Sequence, residues 1–226
     1  LLTSCWNKGT KNNRTDTPTS GTITFVSDES FSPFIEEERQ QFEFQFPEAH
    51  LKPIYADDIT GFKMLQDLET CLFFTSRGLT PREIAYFKTK NLVPEVFTIG
   101  YDGLAFIVNR HNSDTCITVN DIKRVLSGQA KQWSDVYPHS KRGGIEVVFD
   151  NKASATLHST NTTFKKNIHV MSVSIKDKAT PENSWKPYQA YLLDGRYPFV
   201  RTLYANVVDP MRALPWTFAT FITSPK

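Results

Sequence analysis

Polar and apolar residues alternate with period two over residues 21–26 (Gly-Thr-Ile-Thr-Phe-Val), which predicts a first strand. Its end opens into Ser27, Asp28, Ser30 and Ser32 with Pro33 beside them, the composition of a helix start. Residues 34–46 then read as a helix with its charges on one face. Residues 51–55 predict a second strand, and residues 57–69 a helix that turns Met64, Leu65 and Leu68 toward a core. The run 70–74 predicts a third, buried strand, which breaks at Thr75-Ser76-Arg77-Gly78. Thr80, Pro81 and Glu83 have the pattern of a cap, a first-turn proline and a capping-box acid ahead of a helix over 84–89. A further strand is expected at 93–99. Strand and helix alternate, so the expectation is α/β layering on a mainly parallel sheet. In such sheets ligands bind outside the carboxyl ends of the strands.

From Gly100 the pattern changes. Residues 104–108 read as a strand, and 118–127 as a helix with Ile122, Val125 and Leu126 on one face. The apolar run 145–149 predicts a strand, 167–174 another, and 189–193 and 200–208 extended segments; 215–223 reads as a short apolar helix. The 145–149 run opens into Asp150-Asn151-Lys152-Ala153-Ser154-Ala155-Thr156. A strand end that becomes a Ser/Thr-rich helix start gathers free N–H groups, hydroxyls and the positive end of a helix dipole, which suits an anion. By itself the same stretch also reads as an ordinary helix cap. Two other loops, 27–32 and 75–78, share its small, hydroxylated character.

Composition narrows the classes. The chain has 226 residues, 39% hydrophobic and 22% charged, enough for one large or two small cores. Its 26 basic and 24 acidic residues nearly balance, unlike a nucleic-acid binder. No apolar run reaches the roughly 18 residues that a membrane span needs. None of the five histidines lies at metal-ligand spacing, and no Gly-x-Ser-x-Gly elbow or phosphate-binding Walker run occurs. No enzyme activity, cofactor or metal is therefore expected. Of the three cysteines, Cys71 and Cys116 sit in apolar surroundings and read as small packing residues. Cys5 closes Leu2-Thr3-Ser4-Cys5, which resembles the bacterial lipobox and implies lipidation at Cys5 and an anchor outside the cytoplasm. Residues 1–20 then read as lipobox and disordered tether.

Several blocks resemble the substrate-binding proteins of phosphate-type ABC transporters. They are 100–109 (Gly-Tyr-Asp-Gly-Leu-Ala-Phe-Ile-Val-Asn), 121–135 with its Ser-Gly turn and Trp-Ser, Gly195-Arg196-Tyr197-Pro198 through Arg201-Thr202-Leu203, and 221–226. The resemblance implies an α/β, two-lobed periplasmic-binding-protein-like (type II) fold with hinge strands and an interlobe cleft. Lobe one would hold 21–98 plus 195–226, and lobe two 99–194. It further implies capture of an inorganic oxyanion, phosphate foremost, by a monomer working with an ABC transporter permease and held at a bacterial membrane or in the periplasm by its lipid anchor. The family's three anion loops fall on Ser30 and Phe31, on Ser76 and Arg77, and on Asp150 with Ser154, Ala155 and Thr156. Asp102, at a strand start, either receives a ligand proton or serves as a plain turn residue.

Two departures stand out. Where the family commonly has an acid this chain has Arg77, and where it has an arginine this chain has Asp150. The segment between Ser159 and Phe164 is also shorter than the family's. The other expectation is therefore an extracytoplasmic sensor or interaction module that keeps the fold without transport coupling.

Overall fold

A computed structural model describes residues 14–148 and 167–224. They form two compact units, one from residues up to Gly100 and from Thr202 onward, the other from Tyr101–Arg201. The first unit begins with β1 (Gly21–Ser27), a 3-10 turn at Glu29–Phe31, α1 (Ser32–Gln45), β2 (Ala49–Tyr55), α2 (Asp58–Gln66), β3 (Leu72–Thr75), α3 (Pro81–Thr89) and β4 (Glu95–Gly103). The chain continues through β5 (Ile107–Asn109), β6 (Cys116–Thr118), α4 (Val119–Leu126), α5 (Trp133–Val136), β7 (Ile168–Val170), β8 (Ser172–Ser174) and α6 (Gln189–Leu193). It returns as β9 (Val200–Val207) and ends in α7 (Leu214–Thr223).

In the first unit five strands form one sheet in the order β2-β1-β3-β9-β4. β1 pairs in parallel with both β2 and β3, and β3 pairs antiparallel with β9. Alternate side chains of a strand leave on opposite faces, so the adjacent Phe73 and Phe74 enter different cores. Phe74 joins Phe25, Phe42, Phe218 and Leu214 beneath α1 and α7, and Phe73 joins Val26, Phe62, Leu65 and Phe87 beneath α2 and α3. Phe218 meets Phe25, Phe42 and Phe74 edge-on at 5.2–5.7 Å, a favoured aromatic geometry. In register, Ser27 lies opposite Tyr55 and Phe74. The carboxyl ends of β1, β2 and β3 thus finish side by side, and three connecting loops emerge together.

The second unit has two short ladders among the described residues: β5 antiparallel to β7, and β6 parallel to β8. Its core gathers Ile117, Ile122, Met171, Val173 and Tyr197 with Phe106, Trp185 and Tyr191 against them.

Several elements differ from the pattern-based expectation. Residues 145–148 carry no strand: Val147 and Val148 are exposed, and Ile145 N–H donates to the Lys131 carbonyl. β-branched residues favour a strand only when a neighbour completes the ladder, and no described residue does so here. Residues 189–193, read as extended, form α6, whose Tyr191 ring packs on Trp185. The 104–108 strand shrinks to β5, with Leu104 exposed. The 167–174 strand splits into β7 and β8 on different partners, with Met171 N–H bonded to the Phe106 carbonyl between them. α2 stops at Gln66 because Leu68 turns to a positive φ of 58° and Glu69 N–H bonds back to the Met64 carbonyl.

Residues 14–20, expected as part of a tether, begin instead with side chains bound to the first unit. Arg14 forks onto Asp16 at 2.7 and 2.8 Å and reaches Asp209 at 3.0 Å and the Cys71 sulfur at 2.9 Å. The Asp16 and Asp209 side chains are buried. A polar composition reads as unstructured, but here each charge has a counter-charge and the segment packs against the first unit.

Candidate functional site

The three loops at the carboxyl ends of β1, β2 and β3 make the best-formed candidate site. After β1, Asp28 caps the 3-10 turn. Its Oδ1 accepts the Ser30 backbone N–H at 2.8 Å and the Ser30 hydroxyl at 2.5 Å, while Phe31 N–H donates to the Asp28 carbonyl. Pro33 stands in the first turn of α1, where its missing N–H is not needed. Phe31 is buried and Ser30 exposed, so this loop anchors by an aromatic ring and offers hydroxyl and amide groups to solvent. A carboxylate of the chain itself already engages the donors that an anion would use.

After β2, Asp57 caps α2: Oδ1 accepts Thr60 N–H at 2.9 Å, and these backbone donors hold its pKa below the usual carboxylate value. The next residue, Asp58, accepts the hydroxyl of the fully buried Thr75 at the end of β3. The β2 and β3 ends are thereby tied together.

After β3 come Ser76, half-buried, and Arg77. Arg77 donates from Nη1 and Nη2 to the two carboxylate oxygens of Glu83, each at 2.9 Å, and its guanidinium lies 3.4 Å over the Phe62 ring. Such a planar bidentate pair is the geometry an arginine would use for an oxyanion. Glu83 also accepts from the backbone N–H and hydroxyl of Thr80. The predicted capping box of α3 is thus present and doubles as the partner of Arg77. The Arg77 fork holds Glu83 down at about pKa 2, and the Glu83 hydrogen bonds, with Asp58 adding its charge, raise the Arg77 pKa. Asn206 of β9 donates from Nδ2 to the Arg77 carbonyl at 3.0 Å.

Charge at this edge of the sheet is lopsided. Asp28, Asp57, Asp58 and Glu83 supply four carboxylates against Lys63 and Arg77, whose fork is engaged by Glu83. Binding of a dianion here has to draw on amide and hydroxyl donors. The sequence pattern pointed to Ser30, Phe31, Ser76 and Arg77, and the fold brings their two loops side by side. It did not point to Asp28, Asp58 or Asn206 as members. Asp28 reads as an ordinary cap and Asp58 as an ordinary first-turn acid of α2, and only an isolated polar residue in the apolar run 203–208 marks Asn206.

In the second unit Asp102 is bound by Arg201, at 2.7 Å from Nε and 2.6 Å from Nη2, so its carboxylate is held between two strand segments. Asp150, Ser154, Ala155 and Thr156, and Cys5, lie outside the described residues. Among the described residues no helix is long and apolar enough to cross a membrane.

This arrangement, with parallel strands ending in amide- and hydroxyl-bearing loops and a returning antiparallel strand, defines an α/β fold class. The sequence profile of the PBP (periplasmic-binding-protein) superfamily domain matches residues 12–182. The chain belongs to that superfamily, and its α/β fold is that of the two-lobed periplasmic binding proteins. No curated protein matches it in sequence. Among solved structures it is similar to a possible phosphate binding protein from Planctomyces limnophilus, at TM-score 0.67 and 20% identity over 91% of this chain and 88% of that one. It is also similar to an ABC-type phosphate transport receptor from Vibrio cholerae, at TM-score 0.62 and 18% identity over 90% and 94%. A third is a Clostridium perfringens protein assigned as a phosphate ABC transporter substrate-binding protein and solved with bound phosphate, at TM-score 0.63 and 18% identity over 90% and 93%.

Proposed function

We propose that this protein is an extracytoplasmic solute-binding protein that captures an inorganic oxyanion, phosphate foremost, for delivery to an ABC transporter permease. The observation that carries the reading is the β1 loop. Ser30 brings its N–H and hydroxyl to the carboxyl end of β1, beside Ser76 at the end of β3, in a chain that shares its fold with phosphate-binding proteins. Capture would replace the Asp28 carboxylate by the anion on the same donors. Asp102, Asp150, Ser154, Ala155 and Thr156 belong to the proposal through the family motif. So do lipidation at Cys5, anchoring at a bacterial membrane, and action as a monomer.

A second reading is favoured by one feature. Arg77, in the loop after β3, spends both fork nitrogens on Glu83 and its face on Phe62. A fold retained for sensing or for interaction with another macromolecule would tolerate that closure. Isothermal titration separates the two: phosphate is expected to bind with measurable heat, and more tightly than sulfate or a phosphonate. No heat with any of the three at millimolar concentration removes the capture reading and leaves the second.

A further inference from the structure

We infer that Asn206 is a positioning residue for the β3–α3 loop, pinning that loop to the strand by which the chain returns to the first unit. Asn206 is completely buried on β9, in a run whose neighbours Leu203, Ala205, Val207 and Val208 are buried apolar residues. It lies directly opposite Phe73 of β3, so both side chains leave on the face covered by α2 and α3. An apolar residue would fill that place more readily, because a buried amide has to find partners for its donors and acceptor. Asn206 uses Nδ2 on the Arg77 carbonyl, at 3.0 Å, while its Oδ1 has no partner among the described residues. An amide with one half unpaired in a core is destabilising. What it supplies in return is a donor to a carbonyl beyond the end of the ladder, since β3 stops at Thr75.

That carbonyl belongs to a residue held at two further points, by Glu83 on its guanidinium and by Phe62 under its face. Within the loop Arg77 Nη1 also donates to the Gly78 carbonyl at 3.1 Å, but among these three anchors from outside it Asn206 is the one that acts on the backbone. It therefore sets where the 76–78 peptide groups lie, and with them the Ser76 N–H and hydroxyl. The bearing on ligand affinity rests on the oxyanion reading; the bearing on the loop does not.

The test is Asn206→Leu in the whole chain, which keeps the branching at Cγ at the cost of some added bulk and removes both the bond and the orphan oxygen. Amide hydrogen exchange over 76–79 is expected to quicken about five- to tenfold, the scale of one lost buried hydrogen bond. Exchange in β1 and β3 should stay put and the melting temperature should hold or rise. Phosphate affinity should fall by a similar factor. Asn206→Ala covers the case in which leucine does not fit, with the same local signature expected. Unchanged exchange over 76–79 in a folded variant overturns the inference, as does an increase spread evenly over the first unit, which would mark a packing role only. A wild-type protein that ignores phosphate but shows the exchange signature removes the oxyanion reading and leaves the positioning role.

Discussion

Asp28 is the residue whose chemistry most directly opposes anion capture. It takes both donors of Ser30, so an incoming oxyanion competes with a carboxylate that never leaves the vicinity. Asp28→Ala removes the competitor and a cap together. Titration should show tighter phosphate binding, and denaturation should show a loss of about 1 kcal/mol, the usual value of an aspartate cap. Ser30→Ala, by contrast, should weaken binding while leaving in place the Asp28 cap of the 3-10 turn, which rests on the Ser30 backbone N–H. Glu83 is the residue most legible in pH. Its folded pKa of about 2 lies below the ordinary value of 4.5, so its contribution is fully present above about pH 4.5 and fades as pH falls toward 2. Glu83→Gln should flatten that acid limb in a pH series of melting temperatures. At neutral pH the loss should be about 1–2 kcal/mol, mostly from the capping box, because Arg77 is 40% exposed and an exposed ion pair contributes little.

At the scale of elements, α2 sits on the sheet only because position 61 is glycine. A Cβ there would stand 2.3 Å from the Phe73 ring. Gly61→Ala gains up to about 1 kcal/mol of helix propensity but forces the ring or the helix aside. Overpacking of that kind costs about 1–3 kcal/mol, and so close an approach belongs at the upper end. Chemical denaturation should show a net loss, with the α2–β3 tie between Asp58 and Thr75 loosened. Pattern alone read α1, α2, α3, α4, β1, β2 and β3 well, because each has a cap or a period that a short window displays. It misread 145–148 and 189–193, where an apolar run takes its conformation from whatever it packs against.

At the scale of the molecule, residues 14–16 belong to the fold. Asp16 accepts the Leu214 N–H and Asp209 the Ala213 N–H, so both acids cap α7 while Arg14 neutralises them. Burial opposes the charge on Arg14, yet the two carboxylates outweigh it and keep its pKa raised. Arg14→Ala would leave two buried carboxylates without a cation. The expected loss is about 3–5 kcal/mol in a thermal or urea melt, with little dependence on salt because the pair is shielded from solvent. A loss below 1 kcal/mol would mean that the segment only rests on the surface.

By itself the sequence determined the layered α/β class, the capped helices and the hydroxyl-rich loops at Ser30 and Ser76, since caps, turns and hydrophobic period act within a few residues. Only the tertiary structure decided who meets whom. Parallel pairing of β1 with β2 and β3 put Asp58 on Thr75. The capping acid of α3 closed on Arg77. A strand 129 residues away placed Asn206 under the Arg77 carbonyl. Contacts of that range depend on sheet register and on which charge finds a partner first, and neither is written in any local stretch of the chain.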